Sequence, residues 1–159
     1  CALGPNSQIV DSTIGDGCRV WASVVEGAAV ASGVNVGPYS HLRPGTQVAS
    51  STYIGNFAEV KNSTLGAHVH MGHFSYVGDA SVGDDVNVSA GVITCNFDGT
   101  QKNRTVIDDG AFIGSDTLLV APVRVGKKAR TGAGSVVTHD LPAETLAYGV
   151  PARVVKNKE

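Results

Sequence analysis

Residues 28–60 read AAVASGVNVGPYSHLRPGTQVASSTYIGNFAEV, and the fold of the chain is decided there. An aliphatic side chain returns at Val30, Val36, Leu42, Val48, Ile54 and Val60, six residues apart each time. Two residues before each stands a small one: Ala28, Val34, Ser40, Thr46, Thr52 and Ala58. On an extended chain, side chains two apart face the same way, so both columns point inward and the residues between them point out. A helix needs apolar spacings of three and four, and hairpins need turn signals between strands of alternating direction. Neither pattern is present. A solenoid of short strands satisfies the period.

The same repeat returns at Ile107, Ile113, Leu119 and Val125, with Thr131 breaking type before Val137, preceded by Ala111, Thr117, Val123, Ala129 and Ser135. Five-residue steps adjust the register at Ile14, Leu65 and Val82. The glycine that often follows the aliphatic (Gly37, Gly55, Gly72, Gly78, Gly114, Gly126) reads as supporting a turn. Residues 94–106, TCNFDGTQKNRTV, interrupt the repeat with a polar insertion between Ile93 and Ile107, which in a solenoid becomes a loop on one face, often the binding face. After Val137 the repeat stops. Asp140-Leu141-Pro142 is expected to open a short helix through Ala147, and Gly149-Val150-Pro151 leads into a basic tail. The expected organisation is an all-β solenoid over residues 1–138 and a C-terminal helix and tail over 139–159.

Composition narrows the function. The 159 residues suit one domain, and twenty glycines with a single methionine describe no ordinary core. A net charge of -2 gives no electrostatic footprint for nucleic acid, and no apolar run approaches the roughly 20 residues that span a bilayer. Cys1, Cys18 and Cys95 have neither metal-ligand spacing nor a disulfide framework, which favours a reducing cytoplasm. The chain opens on Cys with its pattern already running by Ile9, so it reads as a piece of a longer polypeptide.

Chemistry concentrates around Gly72-His73-Phe74-Ser75-Tyr76-Val77-Gly78-Asp79. Arg43 follows Leu42 and Lys61 follows Val60, three hexads apart, so the two cations stack on one edge and repel unless an anion sits between them. The next rung of that side is expected to run from His73 to Val77, so Arg43, Lys61, His73 and Tyr76 converge: two cations for a phosphate and a titratable imidazole beside them. His73 stands two residues after Met71 and points outward, toward where a neighbouring subunit would pack. The plainer readings are a surface histidine and a solvated basic edge, with Tyr76 and Asn87 ordinary outward polar residues and Asn96 and Lys102 ordinary loop residues. His41, His68, His70 and His73 raise a second class, since three imidazoles can hold a catalytic zinc. However, His68 and His70 occupy different outward slots and His41 another side, so a second subunit would have to help.

Gly37-Pro38-Tyr39-Ser40-His41-Leu42-Arg43-Pro44-Gly45, Ile54-Gly55-Asn56-Phe57-Ala58-Glu59-Val60-Lys61, Thr94-Cys95-Asn96-Phe97-Asp98-Gly99 and Gly114-Ser115-Asp116-Thr117 resemble the acetyltransferase domain of the bifunctional N-acetylglucosamine-1-phosphate uridyltransferase/glucosamine-1-phosphate N-acetyltransferase family, within the hexapeptide-repeat acyltransferase superfamily. The resemblance spans about Ile9 to Thr138. It implies a left-handed parallel β-helix, three hexads to a coil and hence roughly seven coils about 4.8 Å apart. It implies a homotrimer with sites between subunits, transferring acetyl from acetyl-CoA to the amine of glucosamine 1-phosphate for UDP-N-acetylglucosamine and cell-envelope synthesis, with no metal required. His73 matches the family's catalytic base. Arg43, Lys61, Tyr76, Asn87 and Lys102 match its sugar-phosphate ligands, Asn96 a residue near the acetyl group, and Ala90, Ser115 and Ala133 the coenzyme A groove. The chain departs from the family at Phe97 for Tyr, Ser89 for Gly, His70-Met71 for a Lys-containing pair, and a Gly149-Val150-Pro151-Ala152-Arg153 ending, where Arg153 substitutes as the contact for the coenzyme phosphates. These departures leave another amino-sugar or hydroxyl acceptor open, and a zinc carbonic anhydrase or an inert trimerising stalk remain as alternatives.

Overall fold

In the computed structural model, which describes residues 1–157, the inward columns close into a left-handed β-helix of three sheets with ten, eight and seven strands. Neighbours within a sheet are three strands apart in sequence until the final rungs, and every strand pairing except the last is parallel. On the first face the aliphatic column runs Val20, Val36, Ile54, Met71, Val88 and Ile113. On the second it runs Val25, Leu42, Val60 and Val77, and on the third Val30, Val48, Leu65, Val82, Ile107 and Val125. All of these are buried, each stabilising the fold by about 1.5–3 kcal/mol through removal from water.

The small column has a second use. Where the chain turns a corner its peptide groups leave the ladder, and a hydroxyl there can take their place. Thr52 Oγ1 donates to Gly66 O (2.8 Å) and accepts from Val69 N (3.2 Å), while Ser63 Oγ donates to Lys61 O (2.8 Å) and accepts from Ala80 N (2.9 Å). Among the described residues Thr105 Oγ1 alone is a buried side-chain polar atom left without a partner.

Of the six glycines that follow the aliphatics, Gly37 (φ 100°) alone is left-handed; at the other five the turn lies elsewhere. Gly55, Gly72, Gly78, Gly114 and Gly126 have no positive φ; the left-handed residue comes three positions after the inward aliphatic in a six-residue step (Tyr39, Ser51, Phe57, His68, Phe74) and two after it in a five-residue step (Asn62, Asp79). A five-residue step is thus a corner with one residue removed. Gly55 is glycine because the coils approach closely: a Cβ there would sit 1.7 Å from Gly72 O.

Several expectations need correction. No helix forms from Asp140 to Ala147. Leu141 bridges to Val125, the strand Thr145–Gly149 adds a parallel rung beside Arg130–Thr131, and Ala152–Asn157 turns back antiparallel along it. The solenoid therefore runs past Thr138, and residues 158 and 159 of the expected tail lie outside the described residues. Nine of the ten strands on the first face are parallel rungs, against the roughly seven coils expected, because the outermost rungs, Ala2–Leu3 and Thr145–Gly149, lie outside the stretch from Ile9 to Val137 over which the repeat is read. The inserted loop is shorter than 94–106: Thr94 is buried in an aliphatic slot paired with Leu119, Ile93 faces out, and Thr105–Ile107 is already a rung, leaving 96–104 as loop. No helix among the described residues is long and apolar enough to cross a membrane.

Candidate active site

Two outward columns meet at the corner between the first and second faces. On the second face Val60 pairs with Leu42 and Lys61 with Gly78, which puts Arg43 and Lys61 on adjacent rungs as the repeat requires. Their charges are not equivalent. Arg43 Nη1 donates to Glu59 Oε1 at 2.8 Å, and that carboxylate raises the already high guanidinium value. Lys61 has no carboxylate partner among the described residues. Tyr76 pairs with Glu59, and its phenol lies along the strand over Gly78, where a Cβ would meet Tyr76 Oη at 2.2 Å. Asn96, 6% exposed at the root of the loop, donates Nδ2 to Asp79 Oδ2 at 2.5 Å and lies 3.4 Å from Tyr76 Oη. Next to it, burial pushes the Cys95 thiol up, which favours its neutral form.

The loop is pinned by its own carboxylate. Asp98 accepts from the N–H groups of Gln101 and Thr100 and from Asn103 Nδ2, and these hold its carboxyl below the usual range. The turn returns Lys102 beside Phe97, with Nζ 4.7 Å from the ring centroid.

His73 is not on that face. It ends the strand His70–His73 of the first face, paired with Asn56, while Tyr76 begins the second face beyond the left-handed Phe74. The expectation that one rung carries His73 to Val77 is corrected to two rungs joined by a corner. His73 is exposed, edge-on to Phe74 at 5.9 Å, and Ser75 Oγ donates to its carbonyl at 3.1 Å. Ala90 and Ser115 occupy the same slot on the next coils, two residues past Val88 and Ile113, and the bonds Asp116 N to Ala90 O and Gly134 N to Ser115 O carry the column down to Ala133. At about 4.8 Å per coil, His73 to Ala133 spans roughly 14 Å. The corner itself changes character at His73. Tyr39, Phe57 and Phe74 stack there at 5.5 and 5.2 Å, and below them the same position is Gly91, Asp116 and Gly134. An aromatic ridge thus gives way to a trough floored by small residues directly below the imidazole.

Asn87 lies on the first face beside His70 and donates to Ser89 Oγ at 2.9 Å, around the corner from Lys61 and Tyr76. Arg153 lines a cleft of about 380 Å³ with His139, Asp140 and Leu141 and pairs with Tyr148 at the end of the first face, two rungs beyond Arg130–Thr131. The histidines weighed as zinc ligands separate: His41 pairs with Glu26 (2.8 Å), His68 faces Asp85 (3.4 Å) and His70 stacks on Tyr53 (5.0 Å). Glu59 and Asp79 escaped the sequence reading. Glu59 was open to detection, since it stands two residues before Lys61 on the same face; Asp79 was not, because only the corner geometry turns it toward Asn96.

The solenoid has the fold of solved hexapeptide-repeat acetyltransferases. The fold is similar to that of the polysialic acid O-acetyltransferase OatWY, with a TM-score of 0.61 and 14% identity over 98% of this chain and 81% of that one. Sequence relatives are more specific. The chain is homologous to the proteins named Bifunctional protein GlmU: that of Carboxydothermus hydrogenoformans is 52% identical over 159 residues, all of this chain and 35% of the relative. That of Thermotoga maritima is 51% identical over 156 residues, 98% of this chain and 35% of the relative. The chain spans about a third of the length of these curated relatives and corresponds to their C-terminal part. No family model matches the chain.

Proposed function

We propose that the chain transfers the acetyl group of acetyl-CoA to the amine of glucosamine 1-phosphate, in the cytoplasm, and that the product feeds UDP-N-acetylglucosamine synthesis. The observation that carries this reading is the exposed imidazole of His73 at the head of the trough formed with Ala90, Ser115 and Ala133. The small residues leave room for the pantetheine arm of coenzyme A, whose thioester then ends beside His73. Lys61, Arg43 and Lys102 supply cations for the sugar phosphate, with Tyr76 along the same strand and Arg153 as a more distant contact for the coenzyme phosphates.

An ammonium has no lone pair, so the amine must lose a proton to react. His73 takes that proton as the nitrogen attacks the thioester carbon. The C–N bond forms and the C–S bond breaks; the second proton shed by the nitrogen passes to the departing sulfur, so coenzyme A leaves as the thiol, and His73 returns the first proton to solvent. Because His73 and Asn87 face one side of the corner and Arg43, Lys61 and Tyr76 the other, a homotrimer that brings the first face of one copy against the second face of another completes the site.

A thiol-release assay with acetyl-CoA and amino sugars, with and without a 1-phosphate, tests the reaction. Thiol release that prefers glucosamine 1-phosphate is expected; release indifferent to the phosphate, or no release, refutes the assignment. Sedimentation that finds an active monomer refutes the trimer.

A further inference from the structure

We propose that Asp79 is a positioning residue that decides which end of the Asn96 amide meets the substrate; this rests on the function proposed above and deepens it. Asp79 sits at a left-handed corner (φ 51°), with its N–H bonded to Lys61 O at 3.0 Å. Its two oxygens face two amides: Oδ1 accepts from Asn62 Nδ2 at 2.6 Å and Oδ2 from Asn96 Nδ2 at 2.5 Å. An ionised carboxylate only accepts, so each amide must turn its NH₂ toward it. The Asn96 NH₂ is thereby committed to Asp79, with Tyr76 Oη 3.4 Å away, and its carbonyl oxygen is turned from both. That oxygen bonds no group among the described residues, yet it is not sealed in, since among those residues Thr105 Oγ1 is the sole buried side-chain polar atom without a partner.

The chemistry that fits an accessible, fixed amide oxygen beside Tyr76 and Lys61 is an N–H donor, and the attacking amine of the acceptor is one. Once His73 has taken its proton, the amine keeps N–H groups. One held by Asn96 Oδ1 orients the nitrogen lone pair toward the thioester carbon. A flipped Asn96 would present NH₂ to that amine, which could receive it only on the lone pair needed for attack. The charge on Asp79 prevents the flip, because bonds to an ionised acceptor are about twice as strong as neutral ones.

The test is a swap. Asp79→Ala should lower kcat with glucosamine 1-phosphate by about 10- to 100-fold, the cost of a misplaced reacting group, with the KM for acetyl-CoA little changed. Asn96→Asp alone sets two carboxylates face to face and should lose at least as much. In the double variant Asp79→Asn/Asn96→Asp, the amide introduced at position 79 accepts from Asn62 through its oxygen and donates its NH₂ to the carboxylate introduced at position 96. Position 96 then again offers an oxygen to the substrate, and kcat should return to within about tenfold of wild type. A merely structural corner residue would move the melting temperature in all three variants and leave kcat per folded protein unchanged. Such a pattern, or a double variant no better than Asn96→Asp, overturns the proposal. A readout independent of turnover is the ¹⁵N–¹H signal of the Asn96 side-chain amide, whose hydrogen exchange should be slow in wild type and faster in Asp79→Ala; equal rates also overturn it. Wild type run in parallel reports separately on the reaction itself, since absence of thiol release there refutes acetyl transfer to this acceptor while the exchange measurement still judges Asp79.

Discussion

Replacing Gly78 by Ala should separate the site from the scaffold. A Cβ on Gly78 would lie 2.2 Å from Tyr76 Oη, 2.5 Å from its Cζ and 2.8 Å from Asn96 Nδ2. Real Cβ contacts do not fall under 3.0 Å, so the hydroxyl must retreat by about 0.8 Å and draw away from Asn96. The clashes are with the outer ends of two side chains, Tyr76 and Asn96, and Gly78 has no positive φ, so the backbone need not move. Stability should change little: loss of glycine freedom favours the variant by about 0.5–1 kcal/mol, and an off-rotamer tyrosine costs about 0.5–1.5 kcal/mol. Activity should not be spared, because a displacement near 1 Å at a positioned group costs up to about 100-fold, or roughly 2.7 kcal/mol in the barrier. Gly55→Ala is the converse. Its Cβ would stand 1.7 Å from Gly72 O, part of the next coil's backbone, and two coils would have to separate; a loss above about 4 kcal/mol is expected. Melting curves and acetyl-transfer kinetics on both variants decide the matter. A Gly78→Ala enzyme with wild-type kcat/KM for the acceptor would show that Tyr76 plays no part in holding substrate.

His73→Ala disturbs no inward column, so fold and assembly should persist while kcat falls by about 10²–10⁴, measured by thiol release at saturating substrates; a near wild-type rate would make the residue structural. Lys61→Ala should raise the KM for glucosamine 1-phosphate by roughly tenfold and that for glucosamine far less, and Arg43→Ala should do so more weakly, because Glu59 already holds part of the guanidinium. Equal effects on both sugars would remove the phosphate role. The Asp98 carboxyl is lowered by the loop's N–H groups, so its contribution is fully present above the unfolded value of about 3.9 and is lost as pH falls through the lower folded value. Amide exchange at Thr100 and Gln101 should therefore stay slow down to that range and quicken below it, and an Asp98→Asn chain should show no such step.

The aliphatic and small columns were legible because a strand reads its faces with period two and a coil repeats with period six, so Leu42, Val60 and Val77 could be stacked from spacing alone. Arg43 and Lys61 followed from the same arithmetic. The failures share a cause: periodicity gives position along a column and says nothing of the angle turned at a corner. His73 was therefore placed on the face of Tyr76, although Phe74 turns the chain between them. Thr94 was taken for the start of a loop because a hydroxyl in an aliphatic slot looks like an interruption, yet it accepts from Gly78 N at 2.8 Å and keeps the rung. At the C-terminus, Asp140-Leu141-Pro142 carries a helix-start signal that loses to the free edge of the sheet, where Thr145–Gly149 gains ladder bonds beside Arg130 and Thr131.

The direction of the last strand bears on how long such a molecule can be. A stack of parallel rungs leaves at its edge a row of N–H and C=O groups spaced for one more identical rung, and a second copy seated there would offer the same row again, which is the geometry of a growing fibre. Ala152–Asn157 runs the other way, with a register shift between Leu146 and Ala147, and carries Arg153 and Lys156 on exposed positions. A rung arriving on that face meets an antiparallel neighbour in place of the parallel one it would copy, and an edge bearing positive charge. On this face the reversal of one strand breaks the run of identical parallel rungs, with no change in the hexad that built the rest.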